Sequence, residues 1–257
     1  MRISKNKLTQ YISTLSKRDK AVLQSIKRCS FIKTDQIHRL HFYGSTTATA
    51  GLRATTRTLM KLCDFGLIQP LKRRIGGVRA GSSSFVWTLK QAGAELLCLL
   101  ENKPLTSPRK QVFEPKLLFL NHTLAIAELY THLATKTDLV KVEFEPDCWR
   151  KYTTAYGFAI LKPDLFAVTT TGDYADYWFF EVDLDTEAPT RILKKCESYG
   201  RYFCTGREQA QSGIFPKVAW IVPDDKRKKC ISRHISENLA EYEDLFIVII
   251  FSELDKL

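Results

Sequence analysis

The chain has 257 residues, of which 44% are hydrophobic and 26% charged, and its formal net charge is +11. These values are ordinary for a folded globular protein, exclude a disordered or fibrous chain, and allow two domains with separate cores. No apolar run approaches the roughly 18 to 20 residues that span a bilayer, so no membrane insertion is expected. The seven cysteines form no C-x-x-C pair. They therefore predict reduced thiols and a cytoplasmic location, without a zinc site or a disulfide framework.

Charge is distributed unevenly along the chain. Lys and Arg outnumber Asp and Glu by 21 to 5 in residues 1–111, whereas residues 112–257 carry 18 basic against 23 acidic side chains. A basic half of this kind favours a polyanionic partner such as DNA. The acidic half is not suited to binding a polyanion through its net charge, and its carboxylates could instead bind a metal ion.

Residues 1–103 show the element order of a winged helix-turn-helix domain. Apolar spacing predicts a helix that begins at Ser16, a second over residues 34–42 and a third over about 48–63, in which Leu52, Leu59 and Leu62 face inward. Two strands, residues 67–71 and 85–89, then flank a glycine-rich loop. In winged-helix proteins the third helix enters the major groove of DNA, and the hairpin contacts the adjacent backbone.

Basic side chains concentrate on the elements that would meet DNA. The candidates on the third helix are Arg53, Thr56, Arg57 and Lys61, and those in the wing are Arg73, Arg74 and Arg79 with Lys72. Arg can recognise guanine edges or bind phosphate, whereas Lys mainly binds phosphate. The alternative is that these residues only solvate a helix face. The basic patch as a whole favours binding to double-stranded DNA.

Residues 104–116 contain Pro104, Pro108 and a Thr-Ser-Pro-Arg-Lys segment, which predict a linker. A second domain, residues 117–257, is expected after it. Its predicted elements are a helix over 117–135, a strand over 139–146, strands over 158–168 and 177–182, and a helix over 189–204. A strand over 218–222, a helix over 227–245 and a strand over 246–251 complete it. The fold class is therefore α/β, of the α+β type.

Carboxylates are placed on two neighbouring strands of this domain. Asp164 follows Lys162-Pro163, and Glu181 and Asp183 follow an aromatic run. Acids on adjacent strands can bind Mg²⁺ or Mn²⁺ and leave positions open for phosphate and water. Lys195, or alternatively Lys194, could stabilise negative charge from the next helix, where Tyr199 shares a face with Lys195. The alternative is that the acids are solvated and the lysine is an ordinary surface cation.

The Pro163-Asp164 and Glu181 pattern resembles the PD-(D/E)xK nuclease superfamily, except that Asp183 stands where that superfamily usually has Lys. Together with the N-terminal domain, it also resembles the replication-relaxation family and the C-class mobilisation relaxases. The resemblance implies a winged helix followed by a restriction-endonuclease-like domain, in which Asp164, Glu181 and Asp183 bind metal, Lys195 stabilises charge and Tyr199 contacts the scissile region. Glu128, Glu143 and Glu145 are further candidates for the site.

The resemblance also implies an activity: a plasmid mobilisation relaxase that binds the transfer origin, nicks one strand and holds the nicked single strand to start conjugative transfer. An accessory mobilisation or coupling protein is an additional expected partner. A metal-bound water predicts hydrolysis, which we favour, whereas a tyrosine nucleophile predicts a covalent DNA end. The competing hypothesis is a DNA-binding replication initiator or repressor whose nuclease fold has lost catalysis.

Overall fold

The computed structural model describes residues 3–44, 47–72, 84–104, 114–154 and 157–257. The chain divides into two compact units, Met1–Thr131 and His132–Leu257. Helices and strands occur in both, as the α/β prediction requires. Most of the predicted linker, residues 105–113, lies outside the described residues, as does most of the predicted wing loop. No described helix is both long and apolar enough to cross a membrane.

The first unit combines helices with a small antiparallel sheet. Its elements are α1 (Lys5–Thr14), α2 (Lys17–Cys29), β1 (Ile32–Lys33), α3 (Thr34–His41), α4 (Ala48–Asp64), β2 (Ile68–Pro70), β3 (Val86–Leu89), α5 (Gln91–Leu100) and most of α6 (Leu117–Lys136). The sheet order is β1-β3-β2. Helix α2 begins at a capping box in which Ser16 and Asp19 each accept the other's backbone N–H. The three helices predicted before a hairpin correspond to α2, α3 and α4, and the predicted hairpin strands to β2 and β3.

Helix α4 packs through one narrow face. The buried positions are Gly51, Thr55, Leu59 and Leu62, which recur at helical spacing. A Cβ atom at Gly51 would lie 2.5 Å from Nε2 of His38, so the absent side chain permits the close approach of α3. The prediction that Leu52 faces inward is wrong, because this residue is 45% exposed. It lies about 100° around the helix from Gly51, which takes the inward position instead.

Helix α6 binds α3 through a polar contact within the first unit. Nε2 of Gln36 donates to the Leu124 carbonyl at 3.2 Å and to the Glu128 carboxylate at 2.9 Å, and Arg39 pairs with the same carboxylate at 2.6 Å. Burial opposes ionisation of Glu128, but Arg39 and Gln36 lower its pKa. Glu128 thus stabilises the packing of two helices.

The second unit contains a mixed five-stranded sheet. Its elements are β4 (Asp138–Phe144), β5 (Arg150–Thr154), β6 (Gly157–Leu161), β7 (Leu165–Thr171), β8 (Tyr174–Val182), α7 (Pro189–Phe203), α8 (Arg207–Ser212), β9 (Lys217–Val222), α9 (Asp225–Asn238), a 3₁₀ helix (Ala240–Leu245), β10 (Phe246–Ile250) and a second 3₁₀ helix (Phe251–Lys256). The sheet order is β10-β9-β8-β7-β4, with β5 and β6 in a separate hairpin. Strands β4, β7 and β8 are antiparallel, whereas β8, β9 and β10 are parallel.

The structure divides the strand predicted over residues 158–168. Residues 157–161 pair with β5, and residues 165–171 join the central sheet between β4 and β8. Between them, Pro163 has no N–H to donate to a strand ladder, which favours the break. The helix predicted over 227–245 also ends earlier, at Asn238. A separate 3₁₀ helix, Ala240–Leu245, follows it.

One face of the central sheet forms the main core of this unit. Phe166 and Phe179 on the sheet pack with Ile192 and Tyr199 of α7 and with Ile231 of α9. Because side chains alternate along a strand, this face also receives the positions two residues from Phe166 and Phe179. Those positions are Asp164 and Glu181, which fixes where the candidate site lies.

Candidate functional site

Asp164 and Glu181 meet at one end of the central sheet. Leu165 pairs with Phe180, so the antiparallel register continues to place Asp164 opposite Glu181. The Asp164 N–H donates to the Phe180 carbonyl at 3.0 Å, and its Oδ2 accepts the Val182 N–H at 2.8 Å. Both carboxylates are buried. The two acids expected to act together are therefore cross-strand neighbours on the core face.

Helix α7 brings a cation and a phenol to Glu181. Lys195 forms an ion pair with Oε2 of Glu181, and the Tyr199 hydroxyl donates to Oε1 at 2.6 Å. Lys195 also lies over the Trp220 ring, with Nζ 5.9 Å from its centroid. The spacing of four residues between Lys195 and Tyr199 puts both side chains on the same helix face. Lys194, the alternative cation, is exposed.

The environment of Glu181 disfavours its negative charge. Its side chain is 0% exposed, and burial raises its pKa to about 8, with a further contribution from the neighbouring Asp164 carboxylate and an opposing one from Lys195. Burial, and then Glu181 itself, raise the pKa of Tyr199 well above its usual range. Burial opposes the charge of Lys195, but Glu181 and Asp164 raise its pKa overall. Both acids thus act on the same cation, Lys195.

Asp183 has a different partner, on helix α9. Its Oδ2 lies 2.5 Å from Nε of Arg227, and its Oδ1 accepts the Thr186 N–H at 3.4 Å. Arg227 also contacts Asp185 at 3.0 Å and donates to the Glu187 carbonyl at 2.6 Å. Burial opposes ionisation of Arg227, yet the Asp183 carboxylate raises its pKa. The structure therefore places Asp183 in a buried ion pair with Arg227, apart from the Glu181–Lys195 pair.

Glu143, Glu145 and Glu208 of the second unit also have cationic or polar partners. Arg150 contacts Glu143 at 3.1 Å and Glu208 at 2.8 Å, and Tyr202 donates to the same Glu208 oxygen at 2.8 Å. Glu145 accepts from the Trp149 indole at 3.3 Å. Glu143 and Glu145 are thus engaged in contacts other than those of the Asp164–Glu181 pair.

The sequence interpretation missed two cations, the half-buried Arg150 and the buried Arg227. Both lie far along the chain from one of their carboxylate partners, 58 residues in the case of Arg150 and Glu208 and 44 in the case of Arg227 and Asp183. No local pattern relates such positions. The sequence did offer one signal. A buried acid such as Asp183 or Glu208 needs a cation, and arginines were available on other elements of the same unit.

Metal binding at this position would rest on two carboxylates. Within the described ranges, no three His, Cys, Asp or Glu side chains are grouped closely enough to hold a metal ion. Asp164 and Glu181 nevertheless supply hard oxygen donors, which suit Mg²⁺ or Mn²⁺. The donor set fits a divalent cation that takes its other ligands from water and phosphate.

On helix α4, Arg53, Thr56 and Arg57 are exposed on the side opposite the packed face. They line an open surface depression together with Thr49, Ala50 and Leu52. Lys61 differs, because its ammonium group lies 2.5 Å from the buried carboxylate of Asp19. Arg73, Arg74 and Arg79 lie outside the described residues. The exposed cations of α4 are therefore Arg53 and Arg57.

Comparison with known protein families gave a match over most of the chain. The model of the family described as replication-relaxation matches residues 23–218, which include most of the first unit, the Asp164–Glu181 pair and helix α7. No curated protein and no solved structure matches the chain.

Proposed function

Because the chain belongs to the replication-relaxation family, which indicates a role in plasmid replication or mobilisation, we propose that it is a metal-dependent DNA nickase. In this proposal the first unit binds a duplex at the plasmid transfer origin, and the second unit cleaves one strand to start conjugative transfer. The cluster of Asp164, Glu181 and Lys195 is the observation that supports the chemistry.

The topology of the second unit supports a nuclease of the PD-(D/E)xK type. Its strands β4, β7 and β8 are antiparallel and are followed by helix α7 and by β9, which is parallel to β8. Helix α6, most of which belongs to the first unit, precedes them along the chain. The β5–β6 hairpin is an insertion before β7. In this arrangement Asp164 and Glu181 lie at the same sheet end, where a nuclease of that superfamily has its acids. The lysine comes from helix α7 instead of from the strand.

Asp164 and Glu181 would hold the Mg²⁺ or Mn²⁺ ion, which supplies a Lewis acid for the phosphate and an activated water. Lys195 stabilises the negative charge that develops on the phosphate oxygens. The Tyr199 hydroxyl orients the Glu181 carboxylate. Since Tyr199 is buried and its pKa is raised, we assign it a positioning role and favour water as the nucleophile.

Asp183 also acts by positioning in this proposal. Its ion pair with Arg227 fixes the segment that follows β8 against helix α9. We infer that this contact holds the backbone of Glu181 and Val182 in place, and thereby the hydrogen bond from Val182 to Asp164. The expected role of Asp183 as a third metal ligand is replaced here by this structural one.

The first unit supports DNA binding through the order α2-β1-α3-α4-β2-β3, which is that of a winged helix-turn-helix domain. In such domains the second helix of the helix-turn-helix enters the major groove. That helix is α4, and the residues exposed on it are Arg53, Thr56 and Arg57. We propose that these side chains contact DNA bases and phosphates.

The test is nicking of a supercoiled plasmid that carries the cognate transfer origin, followed on an agarose gel with Mg²⁺, with Mn²⁺ and with EDTA. We expect nicking that EDTA abolishes and that is lost in Asp164→Ala and Glu181→Ala. Asp173→Ala is the matched control, because Asp173 is an exposed acid in the turn at the other end of the same strands. Nicking that continues in EDTA would contradict the metal site. Nicking that continues when both acids are replaced would contradict it as well.

A non-catalytic replication initiator or repressor is the second candidate. The observation that favours it is that Glu181 is fully buried and already bound by Lys195 and Tyr199. Mn²⁺ binding followed by electron paramagnetic resonance separates the two candidates. The nickase predicts saturable Mn²⁺ binding that Asp164→Ala removes, whereas the second candidate predicts DNA binding alone.

A further inference from the structure

The β5–β6 hairpin has one buried and one exposed face. Tyr152 and Leu161 on the inner face belong to the core of the second unit, and the Tyr152 ring lies 5.1 Å from that of Tyr202. On the outer face Phe158 is paired with Thr153, and Ile160 with Lys151. Packing of the inner face holds the hairpin on the unit, so its outer face points away from the core.

The outer face exposes apolar side chains to an unusual extent. Phe158 is 94% exposed and Ile160, two residues further on, is 45% exposed. Exposed apolar residues are common when they are isolated. Here an aromatic ring and an aliphatic side chain are adjacent on one strand face, and adjacent exposed apolar groups indicate a binding surface.

Cations accompany these apolar groups. Lys151 is exposed beside Ile160, and Lys162 continues the same face, with Nζ 4.6 Å from the centroid of the Trp149 ring. Arg207 of α8 is also exposed and donates to the Lys151 carbonyl at 2.9 Å. The described side chains that strands β5 and β6 present on this face are aromatic, aliphatic, hydroxyl or cationic, which suits a ligand with both π faces and negative charge. One acid, Glu145, lies beside it and accepts from the Trp149 indole.

The hairpin leads directly to the candidate site. Strand β6 ends at Leu161, and Asp164 follows after Lys162 and Pro163. Phe158 is six residues before Asp164, so the two lie within roughly 20 Å along the chain, by the rise of an extended strand. A polyanion bound across this face therefore ends near the proposed scissile phosphate.

We propose that the outer face of the β5–β6 hairpin binds single-stranded DNA, with an unpaired base stacked on Phe158 and phosphates bound near Lys151 and Lys162. Stacking on an exposed aromatic ring requires an unstacked base, which a single strand provides and a duplex does not. The inference rests on the proposed nicking reaction, since the DNA strand bound by the hairpin is the one that enters or leaves the Asp164–Glu181 site.

Binding of a fluorescein-labelled single-stranded oligonucleotide to the full chain, in EDTA and with excess unlabelled duplex, tests this surface. The duplex occupies helix α4, and EDTA removes any dependence on nicking. We expect Phe158→Ala to weaken binding by about 5- to 100-fold, the range for loss of one stacked base, and Phe158→Trp to restore it. Lys162→Ala should lower the slope of log affinity against log salt by about 0.7.

Tyr174→Ala is the matched control. Tyr174 is also a strongly exposed aromatic residue, at 79%, but it lies at the opposite end of β8, roughly 23 Å from Glu181 by strand rise. It should leave single-strand affinity unchanged. Equal losses in Phe158→Ala and Tyr174→Ala would overturn the proposal, as would wild-type affinity in Phe158→Ala.

Crosslinking locates the contact directly. An oligonucleotide with iododeoxyuridine at successive positions should crosslink to a peptide that contains Phe158. If Phe158→Ala instead changes the oligomeric state in sedimentation and leaves DNA affinity unchanged, the face is a contact between copies of the chain and the proposal fails. These assays contain no metal, so their failure leaves the nicking assay to decide the proposed function separately.

Discussion

Glu181 and Asp183 are two buried carboxylates separated by one residue, yet they have different kinds of partner. Asp183 is bound by an arginine, whose planar group also contacts Asp185 and the Glu187 carbonyl. Glu181 is bound by a lysine and a phenol beside a second acid, and its pKa is raised to about 8. An arginine fork with several partners fixes a backbone segment. A buried acid whose pKa is raised is a site where an additional cation stabilises the charged form. The two carboxylates therefore predict different consequences when they are changed.

The largest expected effect is on stability, at Asp183. Asp183→Ala leaves the buried Arg227 charge without its main partner, so we expect the free energy of unfolding to fall by about 3 to 5 kcal/mol. Urea denaturation measures this. Asp185→Ala is the control, because Asp185 is exposed and contacts the same arginine from outside. If Asp183→Ala is as stable as Asp185→Ala, then Asp183 is not a structural residue, and the contrast with Glu181 is lost.

The next effect is on chemistry, at Lys195. Lys195→Ala should reduce the nicking rate by a factor of about 10² to 10³, because one preorganised cation is removed from the transition state, while duplex binding stays the same. Lys195→Met keeps the length of the side chain and removes its charge. The same loss of nicking is expected in this variant, so the result does not depend on whether Lys195→Ala folds. Lys194→Ala should nick at nearly the wild-type rate, since Lys194 is exposed on another side of the helix. Comparable losses in the two alanine variants would remove the distinction between Lys195 and any nearby cation.

The same contrast between an exposed and an engaged cation applies to helix α4. Arg57→Ala should weaken sequence-specific duplex binding by about 1 to 3 kcal/mol if the arginine reads a base. Lys61→Ala should affect DNA binding less and should instead lower the free energy of unfolding by about 1 kcal/mol, because its ammonium group binds Asp19. Fluorescence anisotropy at several salt concentrations and urea denaturation give the two quantities. A larger binding loss in Lys61→Ala than in Arg57→Ala would contradict the assignment.

The smallest expected effect is at Tyr199. Tyr199→Phe removes one hydrogen bond to Glu181 and should slow nicking about tenfold, which corresponds to about 1.4 kcal/mol. The DNA ends should remain free of protein. Complete loss of nicking, together with a wild-type DNA end that stays attached to protein in SDS, would show that Tyr199 is the nucleophile.

Much of the second unit follows from local sequence patterns. Aromatic and β-branched runs predicted β7, β8, β9 and β10, and the spacing within residues 189–204 predicted α7. The sequence placed Asp164 and Glu181 on neighbouring strands, and the spacing from Lys195 to Tyr199 put those two side chains on one helix face. Because these relations are local, the sequence could indicate which residues would come together.

The contacts made across the fold could not be predicted. Arg227 of α9 pairs with Asp183, which follows β8. Arg39 of α3 pairs with Glu128 of α6, 89 residues later in the chain. Such pairs depend on how elements pack, which a single sequence does not encode in any spacing. The hairpin of β5 and β6 was missed for the same reason, since an apolar run that continues to Asp164 gives no sign that its first half pairs with residues 150–154.

Gly51 separates two kinds of position along helix α4. A side chain there would meet the His38 ring and lie 3.2 Å from the Phe42 carbonyl oxygen, so variation at this position disturbs the junction of two helices. Arg53, Thr56 and Arg57 lie on the outside of the same helix, where substitution typically changes stability by less than about 0.5 kcal/mol. If these outer residues contact DNA as proposed, exchanging them would change the target site at little cost in stability, provided that position 51 stays glycine.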